Sequence, residues 1–147
     1  TVPTPNWIKN ELEKIGQKPI SVLVDISNYV MFCLGRPSHI FDFDKLNLEK
    51  SKTLEVRWSK PNEKILLLNS DEIECKEKFA VISDNSGVVA LAGIMGGMRT
   101  MVTNDTSTIL VESAFWLPNA IRGKSQKLRL ILKKISYIIT KVMAYIV

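Results

Sequence analysis

The sequence predicts an α+β fold in which helices pack on mixed or antiparallel sheets. Three observations support this class. Two segments with helical spacing of apolar residues come first, whereas apolar and polar residues alternate as in strands from residue 53 onward. Helices and strands do not alternate regularly, which argues against a doubly wound parallel sheet. The 147 residues, 46% of them hydrophobic, are enough for one domain with a sizeable core.

The first predicted helix lies near the amino end of the chain. Asn6 is a residue type that caps the start of a helix, and Gly16 is a residue type that ends one. Between them, Ile8, Leu12 and Ile15 share one helical face. This spacing predicts an amphipathic helix with these three side chains in the core.

A second helix is predicted after the apolar run Val22-Leu23-Val24. Asp25 is a natural N-cap there, so the helix is expected from Ile26 to Leu34, with Gly35 ending it. Asn28 would lie on a different side of this helix from its apolar face. That face would consist of Ile26, Tyr29, Val30 and Cys33.

The second part of the sequence predicts several short strands. Leu54, Val56 and Trp58 alternate with polar residues, which is the pattern of a strand with one buried face. Turns rich in Pro, Asn, Asp, Ser and Gly separate this strand from further candidates. Those strands are predicted at Lys64–Leu68, Phe79–Ser83, Val88–Leu91 and Ser107–Val111.

The net charge of +5 is concentrated at one end of the chain. Residues 123–147 contain six basic residues and no acidic one, whereas residues 1–122 contain 14 basic and 15 acidic residues. The main body is therefore close to neutral and offers no broad electrostatic surface for RNA. The longest apolar stretch, Ile135–Val147, is interrupted by Lys141 and is too short to span a bilayer.

The cysteines and the amino end favour a cytoplasmic protein. Thr1–Trp7 lacks the charged and apolar regions of a signal peptide. Cys33 and Cys75 are too few for a disulfide framework, and we expect both to be reduced thiols. With a single histidine they also cannot form the usual tetrahedral zinc site, so no metal site is expected.

His39 is the only histidine, and it follows the second predicted helix in the loop Gly35–His39. A lone histidine in a loop is more often a surface or packing residue than a catalytic one. It comes 11 residues after Asn28, so a helix followed by a turning loop could bring both side chains to one pocket.

Leu91–Gly97 is a glycine-rich turn directly after an apolar strand. Its glycines would let a ligand approach the backbone, whose N–H groups can hold an anion, and a tight turn between strands is an equally good alternative. Glu112 ends a later apolar strand, where a carboxylate is costly unless it is paired or hydrogen-bonded. The common alternative is a solvent-facing side chain on an edge strand.

Several separated motifs occur in a recognisable order. They are Gly16–Ile20 with Val24–Met31, then Gly35–Asp42, then Leu91–Gly97, Thr106, Leu110–Phe115 and Ile121-Arg122. Together they resemble the editing (B3/B4) domain of the bacterial phenylalanyl-tRNA synthetase β subunit, from about Pro5 to Leu130. Each motif alone is weak, but the ordered combination is highly specific.

The resemblance implies a B3/B4 editing domain over residues 1–130 that hydrolyses tyrosine mischarged onto phenylalanine tRNA. Its partners would be the aminoacylated 3′ end of tRNA(Phe), the α subunit and the remainder of the β subunit of an α2β2 synthetase. Editing needs no cofactor, because ATP and magnesium serve only the parent synthetase. The fragment alone could not aminoacylate tRNA.

The same resemblance implies a set of site residues. Asn28 and His39 would be catalytic, orienting the ester or the attacking water. Glu112, with the backbone of the glycine-rich turn, would recognise the phenol hydroxyl of tyrosine. The further substrate-binding residues would be Pro37, Ala92, Gly93 and Gly96.

From Ile131 the sequence departs from the resemblance. The Arg-Phe-Glu-Arg-Gly run of the family is absent, and residues 131–147 form a divergent basic and apolar tail. We interpret the chain as a truncated or frame-shifted β-subunit fragment. Two alternatives for its function stay open: a structural or tRNA-binding module without catalysis, and a free-standing aminoacyl-tRNA deacylase.

Overall fold

A computed structural model shows two helices followed by several antiparallel sheets, which confirms the predicted α+β class. The structure describes residues 2–48, 53–75 and 78–127. The predicted domain boundary at residue 130 and the tail 131–147 lie outside the described residues.

The described residues form four helices and eight strands. The helices are α1 (Asn6–Lys14), α2 (Val22–Leu34), α3 (Pro118–Ile121) and α4 (Lys124–Lys127). The strands are β1 (His39–Asp42), β2 (Glu55–Trp58), β3 (Lys64–Leu66), β4 (Glu72–Glu74), β5 (Ala80–Asp84), β6 (Gly87–Leu91), β7 (Met95–Gly96) and β8 (Ile109–Glu112). Short 3-10 helices lie at Phe43–Lys45 and Met98–Thr100.

The strands form three sheets. The largest has the strand order β2-β5-β6-β7, and β1-β8 and β3-β4 are two-stranded. All the strand pairings of the described residues are antiparallel. The sheets are therefore antiparallel, one of the two kinds of sheet that the sequence predicted.

The four-stranded sheet buries apolar side chains on both faces. On one face, Val81 and Leu91 lie opposite each other and pack in a cluster with Leu67. On the other face, Ile82 and Ala90 pack with Phe41 of β1. The β1–β8 sheet therefore lies against this second face, and α2 contacts β1. This stacking brings the start of β1 close to the β6–β7 hairpin.

The structure confirms the first helix and corrects its ends. Pro5 occupies the N-cap position in place of Asn6, and no side chain caps the helix. Leu12 is fully buried, but Ile15 is 48% exposed, because the helix has already ended there and the chain turns at Gly16.

α2 begins at Val22, one turn earlier than predicted. Asp25 is buried inside the helix and is not its N-cap. Its carboxylate accepts hydrogen bonds from the hydroxyl of Thr4 and the backbone N–H of Ile20. These bonds tie the preceding segment to the helix and satisfy the oxygens of the buried carboxyl group. Gly35 ends the helix at a φ of +63°, as predicted.

The buried side of α2 also differs from the prediction. Ile26 and Cys33 are exposed, and Tyr29 is half-buried. The ring of Tyr29 meets the ring of Trp7 in α1 edge to face, with the ring centroids 5.0 Å apart. The two helices therefore pack through an aromatic contact, and no continuous apolar stripe of α2 is buried.

The orientation predicted for β2 is wrong. Val56 and Trp58 are 59% and 51% exposed, whereas Arg57 is turned inward. The guanidinium of Arg57 forms two hydrogen bonds to the carboxylate of Glu63, at 2.8 and 2.6 Å. Because β2 is an edge strand and its arginine is paired, the alternating pattern did not determine which face is buried.

The other four predicted strands are present as β3, β5, β6 and β8, whereas β1, β4 and β7 were not predicted. Residues 35–38 form a loop, as predicted, but His39, expected to be the last residue of that loop, is the first residue of β1, which pairs with β8. The glycine-rich segment is the β6–β7 hairpin, with Gly93 at a φ of +64°. β7 has only two residues, which is too short for an alternating pattern.

Candidate functional site

A cavity of about 160 Å³ lies where the β1–β8 sheet, the β6–β7 hairpin and α2 meet. Met31 of α2 and Trp116, beyond the end of β8, form two of its walls. Most of its lining residues are apolar. The polar side chains among them are Ser38, His39 and Glu112.

His39 and Glu112 are directly opposite each other in the antiparallel β1–β8 ladder. Residues in such positions place their side chains on the same face of a sheet. The pairing therefore brings an imidazole and a carboxyl group, which are far apart in sequence, to one wall of the cavity.

Both side chains are half-buried, and no described residue pairs with either of them through an opposite charge. Nε2 of His39 is buried without a hydrogen-bond partner, and the side chain of Glu112 has no hydrogen bond or ion pair to a described residue. Burial lowers the pKa of His39 to about 4 and raises the pKa of Glu112 to about 7. In each case the uncharged form is favoured by the loss of hydration.

Two glycines of the hairpin allow side chains of the cavity wall to pack closely against the backbone. A Cβ atom at Gly96 would overlap with Cε1 and Nε2 of His39, so the imidazole ring lies directly on the backbone of β7. A Cβ atom at Gly93 would lie 2.8 Å from Cδ1 of Trp116. The ring of His39 also meets Phe41 edge to face, with centroids 4.5 Å apart. The imidazole is therefore fixed from two sides.

The structure brings together five of the seven predicted site residues. Those that line the cavity are Pro37, His39, Gly93, Gly96 and Glu112. Asn28 is half-buried on α2, one turn before Met31, and is not among the lining residues. Ala92 is only 1% exposed and belongs to the core beneath the hairpin.

Several residues that line the cavity were not predicted as site residues from the sequence. The clearest is Ser38, a polar lining residue between Pro37 and His39. Its position between two predicted site residues was an available signal. Met31 and Met95 also line the cavity, but nothing in their sequence pattern distinguishes them from ordinary core residues.

The arrangement suits a ligand with an apolar body and a hydrogen-bonding end. With a pKa of about 4, His39 is neutral at pH 7 and is a weak proton acceptor. Glu112, with a pKa of about 7, can accept or give up a proton near neutral pH. A hydroxyl group that reaches this carboxyl would satisfy a polar group that the described residues leave unpaired.

The fold and this site define an α+β domain with a small, largely apolar cavity and a half-buried carboxyl group that no described residue pairs with. A family model described as B3/4 domain matches residues 1–143. The chain belongs to this B3/4 domain family.

Among curated proteins the chain is similar to phenylalanine–tRNA ligase beta subunits. It is 53% identical over 124 residues to that of Burkholderia pseudomallei (strain 1710b), 51% to that of Ralstonia nicotianae and 48% to that of Bordetella pertussis. Each match covers 84% of this chain and 15% of the relative. The chain therefore spans about one seventh of the length of these subunits.

Two further features of the described part of the chain bear on the class of protein. Within residues 2–48, 53–75 and 78–127, no helix combines the length and apolar character needed to cross a membrane. The same residues contain no group of three or more His, Cys, Asp or Glu side chains placed to hold a metal ion.

Proposed function

We propose that this chain is the editing domain of a phenylalanyl-tRNA synthetase β subunit, and that it hydrolyses tyrosine mischarged onto tRNA(Phe). The observation that carries the proposal is Glu112, an unpaired carboxyl in the wall of an otherwise largely apolar cavity. Its partners would be the aminoacylated 3′ end of tRNA(Phe), the α subunit and the remainder of the β subunit. The hydrolysis needs no cofactor, and it takes place in the cytoplasm.

Tyrosine differs from phenylalanine by one hydroxyl, and an apolar pocket rejects such an added group only weakly. A second site that hydrogen-bonds the hydroxyl corrects this error, because the correct amino acid leaves its polar group unpaired. Glu112 supplies such a group, with the backbone of the hairpin at Gly93 and Gly96 beside it. The penalty for binding phenylalanine instead is about 1–3 kcal/mol, typical of an unsatisfied buried group.

At the ester end, His39 and Asn28 would orient the ester and the attacking water. The low pKa of His39 favours positioning over general base catalysis by this residue. Hydrolysis by a positioned water, with help from a ribose hydroxyl of the tRNA, is consistent with such a site. Asn28 would act from α2, one turn before Met31, and Pro37 would form part of the cavity wall.

A second candidate is a structural or tRNA-binding module of the β subunit that does not catalyse. The weak basicity of His39 favours it, since the residue that the proposal places at the ester end is a poor general base. A free-standing deacylase is a third candidate. The near-neutral charge of residues 1–122 argues against it, because an isolated domain would need its own contacts to the phosphates of tRNA.

The test is deacylation of Tyr-tRNA(Phe) by the chain and by its variants. We expect Glu112→Ala and His39→Ala each to slow hydrolysis at least tenfold, since each removes a contact to the substrate. Glu72→Ala is the matched control, because Glu72 is an exposed glutamate on β4 and does not line the cavity. Hydrolysis at the wild-type rate by both site variants would reject the site. No hydrolysis by the wild-type chain would favour the non-catalytic module.

A further inference from the structure

We propose that Ser38 is a positioning residue whose hydroxyl oxygen accepts a hydrogen bond from the α-ammonium group of the aminoacyl ester. This inference rests on the proposed function. It extends that function to the α-ammonium group, which tyrosine and phenylalanine share and which Glu112 is not proposed to contact. Three features of the structure support it: the hydrogen bonds of Ser38, the charge of the cavity, and the position of Ser38 next to His39.

The hydrogen bonds of Ser38 leave its hydroxyl oxygen as an acceptor. Ser27 Oγ lies 3.0 Å from the backbone carbonyl oxygen of Ser38 and 3.1 Å from Ser38 Oγ. The carbonyl can only accept, so the single hydroxyl hydrogen of Ser27 goes to it. Ser38 must then donate its own hydrogen to Ser27 Oγ. The Ser38 hydroxyl oxygen then has no hydrogen left to donate, but its lone pairs can accept a hydrogen bond from a donor group of the ligand.

The charge of the cavity also fits a cationic donor. The described residues that line it include one acidic side chain, Glu112, and no lysine or arginine. The neutral imidazole of His39 adds no positive charge at pH 7. An aminoacyl ester carries an ammonium group and no carboxylate, so it suits this lining better than a free amino acid, whose carboxylate would meet no cation.

The position of Ser38 agrees with this role. It precedes His39, which the proposed function places at the ester end of the substrate. The α-ammonium group is bonded to the carbon next to the ester carbonyl, so it lies at the same end. The bonds to Ser27 also anchor the Ser38 loop to α2, which fixes the acceptor oxygen before the ligand arrives.

The test compares the binding of two ligands to the chain at pH 6.5. One is tyrosinamide, whose α-amino group is largely protonated there, and the other is the same amide with hydrogen in place of the α-amino group. Dissociation constants are measured by NMR titration. We expect Ser38→Ala to weaken the binding of tyrosinamide about tenfold, since a hydrogen bond to a charged group is lost, and to change binding of the desamino analogue less than twofold.

Two further variants separate this role from a structural one. Ser38→Thr keeps the hydroxyl and should retain most of the difference between the two ligands. Ser27→Ala breaks the link to α2 but keeps the oxygen of Ser38, so it should also retain a preference for tyrosinamide. Equal losses for both ligands in Ser38→Ala, or no loss for either, would overturn the role of Ser38 alone. If the wild-type chain bound neither ligand and did not deacylate Tyr-tRNA(Phe), the proposed function and this inference would both fail.

Discussion

The β1–β8 sheet has a carboxyl group at each end, and their surroundings are opposite. Asp42 ends β1 and is 4% exposed, and its carboxylate accepts hydrogen bonds from the hydroxyl of Thr106 at 2.8 Å and the backbone N–H of Asp44 at 3.2 Å. The ammonium group of Lys45 lies 3.1 Å from it. Glu112 ends β8 at the other end of the ladder, beside the cavity, and makes no such bond to a described residue.

The pKa values of the two groups follow this difference. The hydrogen bond from Thr106, followed by the contacts of Lys45 and Asp44, lowers the pKa of Asp42 below its usual value. Burial without a partner raises the pKa of Glu112 to about 7. At one end of the sheet, neighbouring residues of the protein therefore satisfy the carboxylate of Asp42. The other end keeps a carboxyl that no described residue pairs with, which is typical of a site that a ligand completes.

The largest expected effect comes from closing the space beside His39. Gly96→Ala places a methyl group where the imidazole lies, so the ring or β7 must move. We expect a loss of about 1–3 kcal/mol in the free energy of unfolding, typical of an overpacked site. Deacylation should also fall to the level of His39→Ala. Urea denaturation and deacylation assays measure the two effects.

A double-mutant cycle checks the cause of this loss. In a His39→Ala background the imidazole is gone, so Gly96→Ala should cost less than half as much. Equal costs in both backgrounds would show that the strain of Gly96→Ala arises elsewhere in β7.

The second effect is on the pH dependence of stability. The folded chain holds the proton of Glu112 up to a pKa of about 7, whereas the unfolded chain releases it near 4.5. Between these values the folded state binds more protons, so wild-type stability falls as pH rises through this window. Glu112→Gln lacks this titration and should be more stable than the wild type above pH 7, by at most about 3 kcal/mol.

Denaturation curves of both proteins at pH 5 and pH 8 measure this difference. Because both proteins keep His39, its titration cancels to first order in the comparison. The free energies of unfolding should differ less at pH 5 than at pH 8. A difference that shrinks as pH rises would contradict the assignment of Glu112 as an unpaired buried acid.

A smaller effect is expected at the completed end of the sheet. Thr106→Val removes the hydroxyl that donates to Asp42 and keeps the shape of the side chain. We expect the melting temperature to fall by a few degrees at pH 7 and deacylation to be unchanged. The loss should shrink in acid, because the low pKa of Asp42 means that this stabilisation disappears as the carboxylate is protonated. If Thr106→Val lost most of its deacylation activity while keeping its stability, the Asp42 end of the sheet would also contribute to the reaction, contrary to our expectation.

The smallest effect is expected on the outer face of the same sheet. Val111 neighbours Glu112 in β8 but is 44% exposed, because adjacent strand residues face opposite sides. Val111→Thr should change the free energy of unfolding by no more than about 0.5 kcal/mol and leave deacylation unaltered. A large loss of activity would mean that the outer face of β8 also contributes to the reaction.

The sequence pointed to residues that the structure groups together, whereas it left several details of the fold open. Ordered motifs identified Pro37, His39, Gly96 and Glu112, which the structure places around one cavity. Periodicity found five of the eight strands of the described residues, but the exposed side of β2 was wrong because Arg57 is held inward by an ion pair. Alternation describes two faces of a strand and does not say which of them the rest of the protein covers.

The sequence by itself determined the local features of this protein: two helices before the strands, the turns at Gly16 and Gly35, and the tight turn at Gly93. These depend on residue type and on near neighbours, because a left-handed φ or a helical apolar spacing is a property of a few consecutive residues. Only the tertiary structure decided that His39 and Glu112 lie opposite each other in the wall of one cavity. That outcome depends on the pairing of two strands far apart in sequence and on the burial that their packing creates.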